Sequence, residues 1–322
     1  MNRLSIIIPA YKSAEYLAET LRSVFSQTQL PDEILVVDDC SPDATQAVVK
    51  SLQASSPVEV RLIVLEKNSG GPVTPMNTGV AAARGEFIAM LDHDDRMLPQ
   101  RLERALPPIQ ADERIGIVFN QFDFFDEQRA AFKLWETRYD HLGNAPKKIP
   151  AHEAHRMLIT RGFPYGGAGG MLFRKALWQD IGGFRPKFRI VWDYDFGLRA
   201  AAQGWDTYYL PDNLYQHRQH VNNLETSDGG LRNSMEHFEL LQELLPNQKL
   251  DDEVKNYLRQ KIEKYVFRVA DAEVLRKNYR RAAYYYWQAL RNGRQRSRAV
   301  RGFLRLPYRY GRDKLALPNK GG

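Results

Sequence analysis

Two rhythms of apolar and polar positions alternate along the first 95 residues. Apolar-rich runs at residues 4–8, 33–37, 58–65 and 86–91 have the length and β-branched content of buried strands. Between them, Leu17, Leu21, Val24 and Phe25 give residues 14–27 helical spacing, and Pro42-Asp43 marks the start of a helix over 43–54. Residues 73–83 also read as a helix, with Pro75 tolerated in its first turn. Strands alternating with helices predict an α/β fold with a mostly parallel, Rossmann-like sheet flanked by helices. Further along, 115–125 reads as a Phe-rich strand, 127–150 as a polar, irregular insertion, 162–170 as a glycine-rich segment and 171–174 as a short strand. Residues 178–184 close on Gly182-Gly183-Phe184, a helix stop and turn. A helix over 193–203 ends at Gly204, a strand follows at 206–210, and from residue 231 the pattern is nearly all helical. The expected organisation is one α/β domain over 1–223 and a helical extension over 224–322.

Composition adds bounds. The chain has 322 residues, 43% apolar and 26% charged, which supplies an ordinary globular core. Its one cysteine, Cys40, cannot make an internal disulfide, so a reducing compartment is expected. Asp38 and Asp39 beside it would raise its thiol pKa, which suits a turn residue better than a nucleophile. The first apolar run is too short for a secretory leader, and nothing approaches the roughly 20 apolar residues of a membrane span. A soluble, cytoplasmic protein is expected. The net charge of +7 is unevenly placed: from Arg276 onward there are 14 Lys and Arg against one acid, Asp313. The basic character belongs to the C-terminal tail.

The candidate chemistry lies at predicted strand ends, where ligands bind in sheets of this kind. Asp38-Asp39 follow the second strand, and Asp92, Asp94 and Asp95 follow the fourth. Carboxylates this close repel one another unless a cation or protons intervene. Mg²⁺ or Mn²⁺ takes oxygen ligands and joins one or two carboxylates to substrate phosphates. A solvated acidic turn, with Asp95 capping the next helix, is the plainer alternative. Asp39 is placed to accept a hydrogen bond from a nucleobase, with Tyr11 in the adjacent loop to stack on it; helix capping is its alternative.

These residues resemble a known family. Residues 5–11 (SIIIPAY), 36–43 (VVDDCSPD), Asn77-Thr78-Gly79, Ala83-Arg84-Gly85-Glu86 and 91–95 (LDHDD) are similar in order and spacing to family 2 glycosyltransferases of GT-A fold. Gly182-Gly183-Phe184 and 193–199 (DYDFGLR) continue the likeness, which covers about residues 3 to 223. The resemblance implies an inverting transfer of sugar from a nucleoside-diphosphate sugar, UDP-sugar by default, to an acceptor hydroxyl on a glycan, lipid or protein, in surface polysaccharide or glycoconjugate synthesis. It implies that Pro9, Tyr11 and Asp39 line the base pocket and that Asn77 and Arg84 support the donor loop or phosphates. Asp92 and Asp94 become the DxD pair, Asp94 touching Mg²⁺ or Mn²⁺, and Asp95 supports them or holds the donor. Asp193 matches the general base, and its place at a helix start supports that role, with Asp195 as a rival. His220 matches a histidine completing the metal site, with His217 as a rival, and Arg218 could pair with the diphosphate.

Two positions depart from the family pattern. Trp192 replaces the usual Glu before the base, either packing on the acceptor or anchoring the helix, and Met76 replaces an Arg before Asn77. They keep a catalytically impaired glycan- or nucleotide-binding protein in view. A sugar-phosphate nucleotidylyltransferase would need a glycine-rich loop after the first strand, where 9–13 reads PAYKS. A phospho-acceptor receiver would be shorter and lack the second acidic cluster. In the tail, arginines from 291 to 312 interleave with Val300, Phe303, Leu304, Leu306, Tyr308 and Tyr310. That pattern fits peripheral contact with anionic lipid headgroups or a solvated tail; RNA ranks behind both, and no nucleic-acid partner is expected.

Overall fold

The computed structural model describes residues 3–125, 140–162, 168–219, 230–248, 250–292 and 295–315. It forms two compact units, Met1–His220 and Val221–Gly322.

The first unit is built on the expected strand–helix alternation. Strands β1 (Leu4–Ala10), β2 (Glu33–Asp38), β3 (Glu59–Val64) and β4 (Phe87–Met90) lie parallel, in the order β3-β2-β1-β4. Every residue of β1, β2 and β4 is buried, as a strand covered on both faces must be. Helices α1 (Leu17–Phe25), α2 (Thr45–Gln53) and α3 (Val73–Ala82) make the crossovers. Leu17, Leu21 and Val24 of α1 bury against Ile6, Ile8, Ile34 and Val36 in one core.

Beyond β4 the sheet becomes mixed, with antiparallel ladders on either side of one long parallel one. A two-residue strand β5 (Arg96–Met97) precedes α4 (Arg101–Ala111), followed by β6 (Ile115–Phe125) and β7 (Lys147–Ile149). Helix α5 (Ala151–Arg161) leads to β8 (Met171–Arg174), α6 (Lys175–Asp180), α7 (Trp192–Gln203) and β9 (Asp206–Arg218). The sheet order becomes β4-β8-β6-β9-β5, with β7 paired to β9.

Three features differ from the sequence expectation. Part of the segment read as an irregular insertion forms β7, whose pairing with Thr207–Tyr209 its polar residues do not advertise. Helix α5 follows at residues to which no element had been assigned. Strand β9 runs eight residues past the expected end, beyond Pro211, because β6, β5 and β7 supply partners along its length. Polar residues survive in a strand when neighbours satisfy their backbone.

The second unit is helical: α8 (Leu231–Leu244), α9 (Asp252–Leu275), α10 (Tyr279–Asn292) and α11 (Arg296–Leu315). The carboxylate of Asp251 caps α9 by accepting from Val254 N at 2.8 Å. Leu241, Leu258, Phe267, Val269 and Ala270 bury at its centre. Burial pushes the His237 imidazole down to about 4, so it sits neutral, stacked on Tyr265 at 4.7 Å. No helix among the described residues is long and apolar enough to cross a membrane.

Candidate active site

The parallel strands deliver their acidic ends to one edge of the sheet. In register, Ala10 lies opposite Asp38 and Ile7 opposite Met90, and Leu91 N bonds back to Ile7 O at 3.1 Å. The residues after β1, β2 and β4 therefore emerge side by side. Pro9 is in β1, paired with Val37. Tyr11 follows, 40% exposed, with Lys12 Nζ 5.4 Å above its ring. Hydrogen bonds from Lys12 N to Ser41 Oγ (3.0 Å) and Ser13 N to Thr45 Oγ1 (2.8 Å) tie this loop to the one after β2. Cys40 sits exposed in that second loop at φ 58°, a turn residue.

Asp39 is buried, and its carboxylate is held rather than loose. Oδ1 accepts from Ser69 N at 2.9 Å, and Oδ2 accepts from Ser69 Oγ (2.9 Å) and Asn68 Nδ2 (3.2 Å). Asp39 thus orders the loop after β3, a role its sequence context did not reveal. Arg189 packs over Gly71 in the same loop, where an added Cβ would lie 2.7 Å from Arg189 Nε. The approach to Asp193 is thereby seamed to the Asp39 side of the crevice.

Asn77 makes the second seam. Its Nδ2 donates to Phe184 O (2.8 Å), while its Oδ1 accepts from Phe184 N (3.0 Å) and Trp178 Nε1 (3.1 Å). The amide is engaged by the Gly-Gly-Phe turn and so shapes the crevice. Trp192 is buried against Phe184 (centroids 5.0 Å apart), which settles it as the anchor of α7. Met76 is fully buried core.

The acidic turn after β4 is clamped from several sides. Thr20 Oγ1 of α1 donates to His93 O (2.8 Å) and Asp95 O (2.9 Å). Asp95 is fully buried; it accepts from Arg218 N at 2.9 Å, and its Oδ2 stands 3.1 Å from His217 Nδ1. Burial pushes the Asp95 carboxyl up against the opposing pull of His217. Asp92 is half-buried, and burial first, then the carboxylates of Asp95 and Asp94, hold it well above the usual range. His217 opposes the rise, and Asp193 adds to it. Asp193 stands at the start of α7. Asp193 is half-buried, and its Oδ1 accepts from Tyr194 N at 2.7 Å.

The sequence left Asp193 and Asp195 as rivals, and the structure separates them. Asp195 is fully buried and paired with two guanidiniums, Arg185 and Arg199. Arg199 also donates to Ile181 O and Gly183 O, both at 2.7 Å, locking the turn that Asn77 holds from its other side.

Two residues expected at the donor have protein partners of their own. Arg84 lies at the opposite, amino-terminal edge of the sheet: its guanidinium grips Glu59, the first residue of β3, at 2.6 Å, and its N–H donates to Glu33, the first of β2, at 2.6 Å. A group there cannot reach a ligand at the carboxyl ends. Arg84→Ala should leave nucleotide affinity unchanged and the melting temperature close to wild type, since the Arg84–Glu59 pair is exposed on both sides; a loss of affinity in calorimetry would reinstate the donor role. Arg218 is buried, with its guanidinium over the Tyr16 (4.5 Å) and Phe125 (4.4 Å) rings, its Nη2 on Glu19 and its Nε on Asp94 O (2.8 Å). It braces the acidic turn from behind. His220 lies outside the described residues. His217, its rival, is the histidine brought to the cluster, and the signal for it was the alternation of β9 continuing from Tyr215 to His217.

Among the described residues, no three His, Cys, Asp or Glu side chains stand together closely enough to enclose a cation by themselves. The chemistry of the set nonetheless fits a hard divalent ion. Asp92 and Asp94 supply oxygens whose mutual repulsion a cation would relieve, and such ions commonly complete their shell with substrate phosphates and water. A carboxylate-oriented histidine beside them is a usual companion of such sites.

A mixed, mostly parallel sheet with carboxylates gathered beyond its strand ends defines a GT-A-type α/β protein. The chain belongs to glycosyl transferase family 2, whose pattern it matches over residues 5–182. The succinoglycan biosynthesis protein ExoO of Rhizobium meliloti is 41% identical over 103 residues, which are 32% of this chain and 28% of that protein. This chain therefore aligns with less than a third of that relative's length. Among solved structures, S. aureus TarS 1-349 in complex with UDP-GlcNAc matches with a TM-score of 0.60 and 21% identity, over 82% of this chain and 71% of that one. The mannosyltransferase PcManGT from Pyrobaculum calidifontis, in complex with GDP-Man and Mn²⁺, gives 0.61 and 19%, over 95% and 82%. At these identities the structures speak for the fold.

Proposed function

We propose that the protein is an inverting, metal-dependent glycosyltransferase that moves a sugar from a nucleoside-diphosphate sugar to an acceptor hydroxyl in cell-surface polysaccharide or glycoconjugate synthesis. The observation that carries this reading is the emergence of the loops after β1, β2 and β4, with Asp39 and the Asp92–Asp94–Asp95 turn, side by side at one end of the sheet, with Asp193 adding to the upward push on Asp92. It supports a proton acceptor facing a diphosphate-binding carboxylate pair across one crevice. The relatives, ExoO by name and TarS by its bound UDP-GlcNAc, support the pathway class and a UDP-sugar; the GDP-Man of PcManGT keeps guanine open as the base.

In this reading Pro9 and Tyr11 border the base, with Tyr11 stacking and Asp39 fixing the loop that closes over it. Asp92 and Asp94 hold Mg²⁺ or Mn²⁺, which when bound neutralises charge on the departing diphosphate. Asp95 orients His217 beside them, and His220 stays the histidine that the family resemblance implies at the metal. Asp193 removes the proton of the acceptor hydroxyl, whose oxygen attacks the anomeric carbon from the face opposite the leaving phosphate. Asn77 and Arg199 hold the turn that aims Asp193. The acceptor is a glycan, a lipid-linked glycan or a protein, and the reaction runs in the cytoplasm or at the inner membrane face.

A thermal-shift series with UDP, GDP and dTDP, each with and without Mn²⁺, tests this on wild type and Asp94→Ala. We expect one nucleotide to raise the melting temperature only with Mn²⁺, and Asp94→Ala to abolish that rise. Equal release of nucleotide from a donor sugar by wild type and Asp94→Ala would overturn the metal role, and no stabilisation by any nucleotide would overturn donor binding.

A further inference from the structure

The last helix of the second unit divides its surface into three strips. Ala299, Gly302 and Leu306, spaced three and four residues apart, face α10. The approach is close: a Cβ on Gly302 would lie 2.4 Å from the Tyr286 ring. Val300, Phe303, Leu304 and Tyr308 recur at intervals of three, one and four on a second side, with Pro307 among them. They are not buried: Leu304 is 70% exposed and Tyr308 76%. Arg298, Arg301, Arg305 and Arg309, at intervals of three and four, make a third strip beside it.

The arginine strip borders a groove of ≈ 340 Å³ completed by Asp271, Val274, Leu275 and Tyr286. Asp271 pairs with Arg298 at 3.2 Å and accepts from Tyr286 Oη at 2.6 Å. Among the described residues no carboxylate pairs with Arg301, Arg305 or Arg309. A soluble helix usually turns its apolar side inward and its charges outward. Here a small-residue strip does the packing, and a row of large apolar side chains faces outward beside a row of cations. That is the form of a helix lying in a bilayer interface, with apolar side chains among the acyl chains and arginines among the headgroup phosphates.

We propose that α11 docks the protein on an anionic lipid surface, with Phe303, Leu304 and Tyr308 entering the interface and Arg301, Arg305 and Arg309 engaging lipid phosphates. A second copy of this chain is the poorer occupant, because a symmetric pairing through this face sets the arginine rows near each other. Nucleic acid uses the cations but leaves the Leu304–Tyr308 strip without a purpose. Such docking involves the second unit alone and needs neither donor nor metal.

Flotation of the full chain with vesicles tests it, without donor or acceptor, so that its result is separate from that of the sugar-transfer reading. We expect flotation with mixed phosphatidylglycerol–phosphatidylcholine vesicles and little with phosphatidylcholine alone. Arg301→Gln with Arg305→Gln should weaken binding to the anionic vesicles by about tenfold or more, an effect that shrinks as salt is raised. Leu304→Ser with Tyr308→Ser should weaken it as much even in high salt. Both side chains are exposed, so an unchanged melting temperature confirms the variant is folded. Equal flotation with neutral and anionic vesicles would overturn the proposal. So would full retention of binding by the Leu304→Ser/Tyr308→Ser variant, which would leave a generic polyanion site that RNA fills as well.

Discussion

Asp193→Asn should lower sugar transfer by about 10²–10⁴-fold, the range a positioned general base contributes, while metal-dependent nucleotide binding stays close to wild type. The substitution keeps the size of the side chain and its oxygen. The amide carbonyl can still accept from Tyr194 N, as Oδ1 does at 2.7 Å, so the start of α7 keeps its contact. What is lost is the capacity to take a proton. Removing a carboxylate also relieves Asp92, whose carboxyl Asp193 helps push up, so nucleotide and metal binding should not suffer. Steady-state kinetics against acceptor, with thermal shift by nucleotide and Mn²⁺ in parallel, read the two effects separately. The loss should fall on kcat. Transfer at near wild-type rate by the variant would end the assignment of Asp193 as base.

Two residues on, the expected result is of another kind. Asp195→Ala should destabilise the first unit by about 3–5 kcal/mol, the cost of stranding the partners of a buried ion pair. Asp195 is fully buried between Arg185 and Arg199. Burial presses the Arg199 guanidinium downward and Asp195 is the largest influence holding it charged, with Arg185 working against it. Without Asp195 the two cations face each other, and Arg199 loses what fixes it against Ile181 O and Gly183 O. The midpoint of urea unfolding measures the effect without ligand. A midpoint equal to wild type would show that the cluster bears little of the stability. If Asp195→Asn abolished transfer at unchanged stability while Asp193→Asn did nothing, the two roles would be exchanged.

This pair shows what local sequence can carry. Both are acids at the start of one helix, and the spacing that places them there says nothing about which faces the crevice. The answer comes from Arg185 and Arg199, of which only Arg199, four residues on, sits at a spacing readable along a helix. The core strands were legible because a strand buried on both faces must be apolar at every position, as residues 4–10 and 33–38 nearly are. The gathering of Asp39 and Asp92 at one sheet edge was legible too, since parallel order alone fixes which ends coincide. Strand β7 and the far half of β9 were not, because their polar residues become strand only when a partner strand is present.

The sequence by itself therefore determined the α/β alternation, the edge of the sheet that holds the acidic residues and the concentration of positive charge in the tail. All three follow from periodicity and chain order, which are local properties. Only the tertiary structure decided that Arg84 serves Glu59 and Glu33 at the wrong edge for a donor, that Asn77 serves the Gly-Gly-Phe turn, and that Arg218 serves Glu19. The partner of a charged or amide side chain is set by which distant segments the fold brings alongside it. Arg218 and Glu19 are 199 residues apart in the chain, a separation no local pattern spans.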